Sequence, residues 1–213
     1  MKWLDITLPL RETMPHWPGD VPFRHQETAW IGVENCPYNL SWMQTSTHFG
    51  THIDAPFHFV ANGRKVEELD LNTLIGPCVV LDLTGVEKRI EAEDLRDRIP
   101  DGTKRLLLKT RNSVYIREAG FREDYVALSP DAVRYVLQGG VLLLGIDYYS
   151  IGPFGEEGTA VHQIFLRPDN TIALEGVDLS EVEAGEYLLL CLHIKVEGAS
   201  GAQARVLLGK EEK

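Results

Sequence analysis

The sequence predicts one α/β domain with more strand than helix. Short β-rich or apolar segments are numerous, whereas only two segments carry helix signals. A chain of 213 residues suits one domain with a substantial core. No Ser-rich or Gly-rich linker and no repeat of 20–50 residues divides it. We therefore expect a single domain over residues 1–213.

The predicted strands either alternate polar and apolar residues or form short apolar runs. They lie at 3–7, 38–45, 78–83, 106–110, 141–147, 172–174, 187–194 and 205–208. One helix is expected over 91–99, before Pro100. A second should begin at Ser129, with Pro130 in its first turn, and end at glycines 139 and 140. Prolines break up residues 10–23, so we expect a long loop there, carrying Trp17.

Composition and charge narrow the functional classes. The net charge of -11 argues against binding a phosphate backbone, which needs clustered Lys and Arg. The longest apolar runs are too short to span a bilayer, and Asp5 and Arg11 interrupt any apolar signal core. Three scattered cysteines without a C-x-x-C pair favour free thiols in a reducing compartment. We expect a cytoplasmic protein that binds neither nucleic acid nor membrane.

Residues 46–59 concentrate the metal-ligand side chains of the chain, namely His48, His52, Asp54 and His58. If residues 51–54 are extended, His52 and Asp54 point to the same face, and a turn at Gly50 lets His48 reach it. Three protein ligands with an open position are typical of catalytic zinc, and the two oxygens of Asp54 could bridge two metals. His58 is then a further ligand or a proton shuttle. The alternative is a loop of polar surface residues.

The segment H-F-G-T-H-I-D-A-P-F-H at 48–58 fits the signature H-x-G-T-H-x-D-x-P-x-H. In this it resembles the cyclase family of metal-dependent hydrolases, which includes bacterial kynurenine formamidase (arylformamidase) and isatin hydrolase. H-W-P-G-D at 16–20, L-S-P at 128–130, G-I-D-Y at 145–148 and the segment 198–208 are also similar to the formamidases. Gln203 stands where those enzymes have a proline. The resemblance covers nearly the whole chain.

The resemblance implies a β/β/α swivelling-type fold and a homodimer or homotetramer. It implies that His48, His52 and Asp54 bind one zinc, and that Asp54 bridges to a second zinc held by His162 and Glu175. The spacing between those last two residues is one longer than in the family, which puts an insertion near 168–170. His58 then corresponds to the proton donor and acceptor, and Trp17 to an aromatic side chain that contacts the substrate ring. The expected cofactor is two Zn²⁺, with Mn²⁺ as an alternative for this ligand set.

The resulting functional prediction is hydrolysis of a C–N amide bond in a small aromatic substrate. The specific expectation is N-formylkynurenine, giving kynurenine and formate, a step of tryptophan degradation. One alternative substrate is a cyclic amide, as in isatin hydrolase, or another small amide or ester. The signature specifies the metal ligands but not the pocket residues that select the substrate. Another alternative is a non-catalytic metal-binding module. No G-x-S-x-G or H-E-x-x-H motif favours a serine hydrolase or a helical metalloprotease.

Overall fold

The computed structural model describes residues 1–118 and 120–211 and is a mixed α/β structure in which strand exceeds helix, as predicted. The strands are β1 (Lys2–Asp5), β2 (Arg24–Ala29), β3 (Leu40–Gln44), β4 (His52–Asp54), β5 (Ile75–Asp82), β6 (Arg89–Ile90), β7 (Arg105–Lys109), β8 (Ala127–Leu128), β9 (Leu143–Ile146), β10 (Ile172–Glu175), β11 (Gly185–His193) and β12 (Gly201–Lys210). The α-helices are α1 (Leu71–Leu74), α2 (Ala92–Leu95), α3 (Asn112–Tyr115), α4 (Pro130–Gln138) and α5 (Glu156–Leu166). The single domain over 1–213 stays a prediction, and residues 119, 212 and 213 lie outside the described part.

Seven strands form a sheet that closes on itself in the order β12-β11-β5-β7-β9-β10-β4, with β4 paired back to β12. Closure depends on the length of β12. Its residues 201–203 pair with β4, and its residues 204–209 pair with β11. Strand β1 adds to the far end of β12. Because the ring is closed, short β4 has a partner on each side, which fixes the direction of its side chains.

Alternate residues of the ring strands belong to two separate hydrophobic clusters. Leu107 of β7 belongs to the same cluster as Ile53 of β4, Leu174 of β10 and Val206 of β12. Its neighbours Leu106 and Leu108 belong to the other cluster, with residues of α4 and α5. The period of two along each strand therefore separates an inner core from a layer packed under the helices.

Most predicted elements are present, but one is shorter than expected and several others were not predicted. The helix expected over 91–99 is only α2, because the chain turns at Asp97, whose φ is 58°. Six elements lie where none was predicted, namely β2, β6, β8, α1, α3 and α5. Helix α4 begins as expected, since the Ser129 side chain accepts a hydrogen bond from the Ala132 amide. In the described residues, no helix is both long enough and apolar enough to cross a membrane.

Candidate metal centre and pocket

Strand β4 delivers the first two candidate ligands to one face of the ring. His52 and Asp54 point to the same side, and Ile53 between them points into the inner core. All three residues are buried, with His52 and Asp54 each 1% exposed. Across the antiparallel pairing with β10, Glu175 lies opposite His52. The sheet register therefore brings a distant carboxylate beside the signature histidine.

His48 reaches the same carboxylate from the turn before β4. Gly50 has a positive φ of 69°, a conformation that glycine adopts at no steric cost. The turn places His48 Nδ1 at 2.7 Å from Asp54 Oδ1, and His52 Nε2 at 3.4 Å from the same oxygen. Two imidazoles therefore converge on one oxygen of Asp54.

His162 and Glu175 lie on the other side of Asp54. His162 Nε2 is 3.8 Å from Asp54 Oδ2 and 3.0 Å from Glu175 Oε1. Glu175 Oε2 lies 3.4 Å from His52 Nε2. His162 lies on α5, where no helix was predicted, with its buried side facing the ring. A turn at 168–170, where an insertion was expected, connects α5 to β10, and Glu175 meets His162.

The second nitrogen of each histidine has its own partner. His52 Nδ1 donates to the Gly50 carbonyl at 3.0 Å, and His162 Nδ1 donates to the Gly158 carbonyl at 2.7 Å. A carbonyl can only accept, so the neutral form of each imidazole carries its proton on Nδ1, and the lone pair on its Nε2 can bind a cation in place of a second proton. His48 is held at Nε2 by Ser200 Oγ, at 3.0 Å. Such partners fix the orientation of metal-binding imidazoles.

The buried carboxylates of this cluster favour the binding of a cation. Asp54 Oδ2 is buried and has no hydrogen-bond partner in the described structure, an arrangement that is costly unless a positive group is bound. Although burial opposes it, hydrogen bonds to the carboxylates of Asp54 and Glu175 raise the pKa of His52 to about 10. A proton therefore occupies this position when no metal competes for it. The donor set of imidazole and carboxylate groups fits a divalent metal.

His58 and Trp17 lie at a pocket of about 320 Å³ above these groups. His58 lies on the short turn Pro56–His58, and its ring stacks on that of His48 with centroids 3.9 Å apart. Burial lowers the pKa of His58 to about 4, with a further contribution from the nearby imidazoles. Trp17 packs against Phe121 and Phe154 and presents an aromatic wall.

The structure brings all of the predicted site residues to this one location, since each lines the pocket or contacts a residue that does. A ring nitrogen of His58 lies within 4.8 Å of ligand atoms of His48 and Asp54. The geometry is therefore compatible with His58 as a further metal ligand and with His58 as a proton shuttle. Sequence reasoning gave no role to Ser200 or Asp20. Ser200 carries no local signal, whereas Asp20 belongs to the W-P-G-D element already noted.

The Cyclase family model matches residues 4–153, well over half of the chain. The chain belongs to the cyclase family. Among curated members, it is 37% identical over 208 residues to a kynurenine formamidase of Geobacillus thermodenitrificans, covering 98% of this chain and 97% of that one. The relationship therefore extends beyond residue 153 and includes the segments that carry His162 and Glu175.

Solved structures agree with this membership of the cyclase family. One described as a potential metal-dependent hydrolase with cyclase activity is 33% identical, with a TM-score of 0.83 and 99% of each chain covered. An isatin hydrolase from Ralstonia solanacearum has a TM-score of 0.82 over 97% of this chain and 91% of its own, at 20% identity. That second likeness shows the shared fold alone.

Proposed function

We propose that the protein hydrolyses N-formylkynurenine to kynurenine and formate. One observation carries the proposal. The two oxygens of Asp54 face separate sets of donor groups beneath an aromatic pocket, in a chain related along its length to kynurenine formamidases. The reaction breaks the C–N bond between the formyl carbon and the aryl amine.

Two divalent cations fit the donor set, Zn²⁺ in the first place and Mn²⁺ as the alternative. His48, His52 and Asp54 would hold one, and Asp54, His162 and Glu175 the other. When bound, such cations lower the pKa of water and polarise a carbonyl oxygen. The protein contributes the dry, fixed arrangement of these side chains.

His58 is proposed to move the proton. Because burial lowers the pKa of His58 to about 4, its imidazole is neutral near pH 7 and can accept a proton. It takes the proton that water loses on adding to the formyl carbon. It then donates that proton to the aryl nitrogen as the C–N bond breaks, which makes the amine a better leaving group. Trp17 packs against the aryl ring of the substrate.

The direct test measures formate release from N-formylkynurenine together with the bound metal. Treatment with EDTA should abolish activity, and divalent metal should restore it. His58→Ala should lower kcat by about 10²–10⁴-fold, the usual contribution of general acid–base catalysis, while metal stays bound. His25→Ala is the matched control, because His25 is exposed on β2. Full activity in the metal-free protein would refute the proposal.

A second candidate uses the same residues on a cyclic amide such as isatin, or on another small amide or ester. The shared fold with isatin hydrolase favours including it in the test. Comparing kcat/KM for N-formylkynurenine, isatin and simple esters decides between the substrates. A protein that binds metal and turns over none of them would be a non-catalytic metal-binding module.

We further propose a homodimer or homotetramer in a reducing cytoplasm. The hairpin of β2 and β3 leaves apolar side chains uncovered, with Leu40 55% and Met43 56% exposed. An isolated two-stranded hairpin is marginally stable in water, so cover by a second subunit would stabilise it. The proposed reducing compartment is supported by the three cysteines, Cys36, Cys78 and Cys191, which are free thiols. Light scattering should give a multiple of the 23.9 kDa chain mass, and a monomer at all concentrations would refute the oligomer.

A further inference from the structure

The loop before β2 places a carboxylate beside the aromatic wall of the pocket. The Asp20 amide donates to the Trp17 carbonyl at 3.0 Å, which closes a tight turn and puts both side chains at the pocket. Asp20 Oδ2 accepts a hydrogen bond from Ser46 Oγ at 3.0 Å. The same Ser46 Oγ accepts from the His48 amide at 3.2 Å. Asp20 is therefore held in a fixed position relative to the metal-binding turn.

The other oxygen of this carboxylate is available to a ligand. Asp20 Oδ1 accepts no hydrogen bond from the residues that the structure describes, and it is not among the buried atoms without a partner. Asp20 itself is half-buried at the pocket. A bound molecule can therefore reach an acceptor that is already oriented by Ser46, at a low cost in side-chain entropy.

The charge of the pocket wall favours a cationic group at this position. Two carboxylates line the pocket, Glu175 and Asp20, and Glu175 is engaged by His162 and His52. Among the described lining residues there is no Lys or Arg to pair with Asp20. In the described residues its side-chain partner is the neutral hydroxyl of Ser46, so no protein cation pairs directly with it. A carboxylate in this situation binds an ammonium group by a charge-assisted hydrogen bond.

We propose that Asp20 is the site for a primary ammonium group of the substrate, beside the aryl ring packed on Trp17. The inference rests on the proposed function, because N-formylkynurenine carries an aryl formamide and, at the end of its side chain, an α-ammonium group. Asp20 then selects aryl formamides that bear an amine over those that lack one. It determines specificity and takes no part in proton transfer.

The test compares N-formylkynurenine with 4-(2-formamidophenyl)-4-oxobutanoate, which has the same skeleton without the amine. Wild type should prefer the amine-bearing substrate in kcat/KM. Asp20→Asn should reduce that preference by about 10–100-fold, the range expected for losing a hydrogen bond between charged groups. Asp169→Asn is the matched control, since Asp169 pairs with Arg64 at the surface, away from the pocket. An equal loss on both substrates, which disruption of Ser46 alone would cause, overturns the proposal.

A binding measurement separates failure of this inference from failure of the proposed function. Calorimetry with kynurenine and its deamino counterpart needs no turnover. If wild type hydrolyses neither formamide but still binds kynurenine more tightly, and Asp20→Asn removes the difference, the ammonium site stands without the formamidase reaction. If wild type hydrolyses N-formylkynurenine without distinguishing the two ligands, the reaction stands and the ammonium site is refuted.

Discussion

Gly201→Ala tests whether the start of β12 holds His48 in the position proposed for metal binding. Gly201 lies opposite Asp54 in the pairing of β12 with β4. A Cβ atom at this residue would lie 2.4 Å from His48 Cε1 and 2.7 Å from the Ile53 carbonyl oxygen. Ordinary contacts of a Cβ atom begin at 3.4 Å, so the shortfall at the imidazole is 1.0 Å, the difference between 3.4 and 2.4. The backbone of β4 is paired on both sides and holds the Ile53 carbonyl, so the start of β12 must shift and the ring of His48 must move.

The size of the effect follows from that displacement. A misplacement of about 1 Å in a catalytic group costs about 10²-fold in rate. Moving His48 away from Asp54 Oδ1 also weakens metal binding, and we expect a loss of about 10–100-fold in affinity, as for disturbed partners of metal ligands. Overpacking of this kind costs about 1–3 kcal/mol of unfolding free energy, which leaves a folded protein.

The assay combines kcat/KM for N-formylkynurenine, metal affinity by competition with a chelator, and thermal unfolding. Gly85→Ala is the matched control, because a Cβ atom there meets nothing within 4 Å. A Gly201→Ala protein that binds metal and turns over substrate as the Gly85→Ala protein does would show that His48 does not need this position.

Two further predictions concern a buried carboxylate, Asp147, and a side chain that contacts the His48 turn, Gln203. Burial raises the pKa of Asp147 from the ordinary 3.8 to about 6, despite hydrogen bonds from Thr110 and Ser113. The folded state then binds more protons than the unfolded state between about pH 4 and 6, so the unfolding free energy should fall by about 3 kcal/mol as pH rises through that window. Asp147→Asn should remove this slope in urea titrations, and an unchanged slope would refute it. Gln203→Ala removes the 2.6 Å hydrogen bond that Gln203 Nε2 donates to the Ser46 carbonyl. Metal affinity, measured by competition with a chelator, should fall by about 10-fold, and an unchanged affinity would contradict this.

Local sequence patterns predicted the arrangement of the candidate ligands that lie close together in the chain, His48, His52 and Asp54. The period of two places His52 and Asp54 on one face, and Gly50 permits the turn that returns His48. The position of Glu175 depends on the register between β4 and β10, which no local pattern specifies. It was expected from the resemblance to the cyclase family alone.

Helix α5 was missed because its start has no side-chain cap. Its N-cap is Gly155, and its sequence includes Gly158 and several β-branched residues. A usable signal was nevertheless present. The buried residues recur at helical spacing, and they are Gly158, Val161, His162, Phe165 and Leu166. The roles of Ser200 and Gln203 depend on long-range contacts with the His48 turn and could not be predicted from the sequence.

Our central proposal is that Asp54 contributes to the binding of two divalent cations. Anomalous diffraction from crystals of the metal-loaded protein, at the absorption edge of the metal, tests it directly. We expect two peaks, one beside His48, His52 and Asp54, and the other beside Asp54, His162 and Glu175. Metal bound elsewhere, or no metal at Asp54 in protein that releases formate from N-formylkynurenine, would contradict the claim.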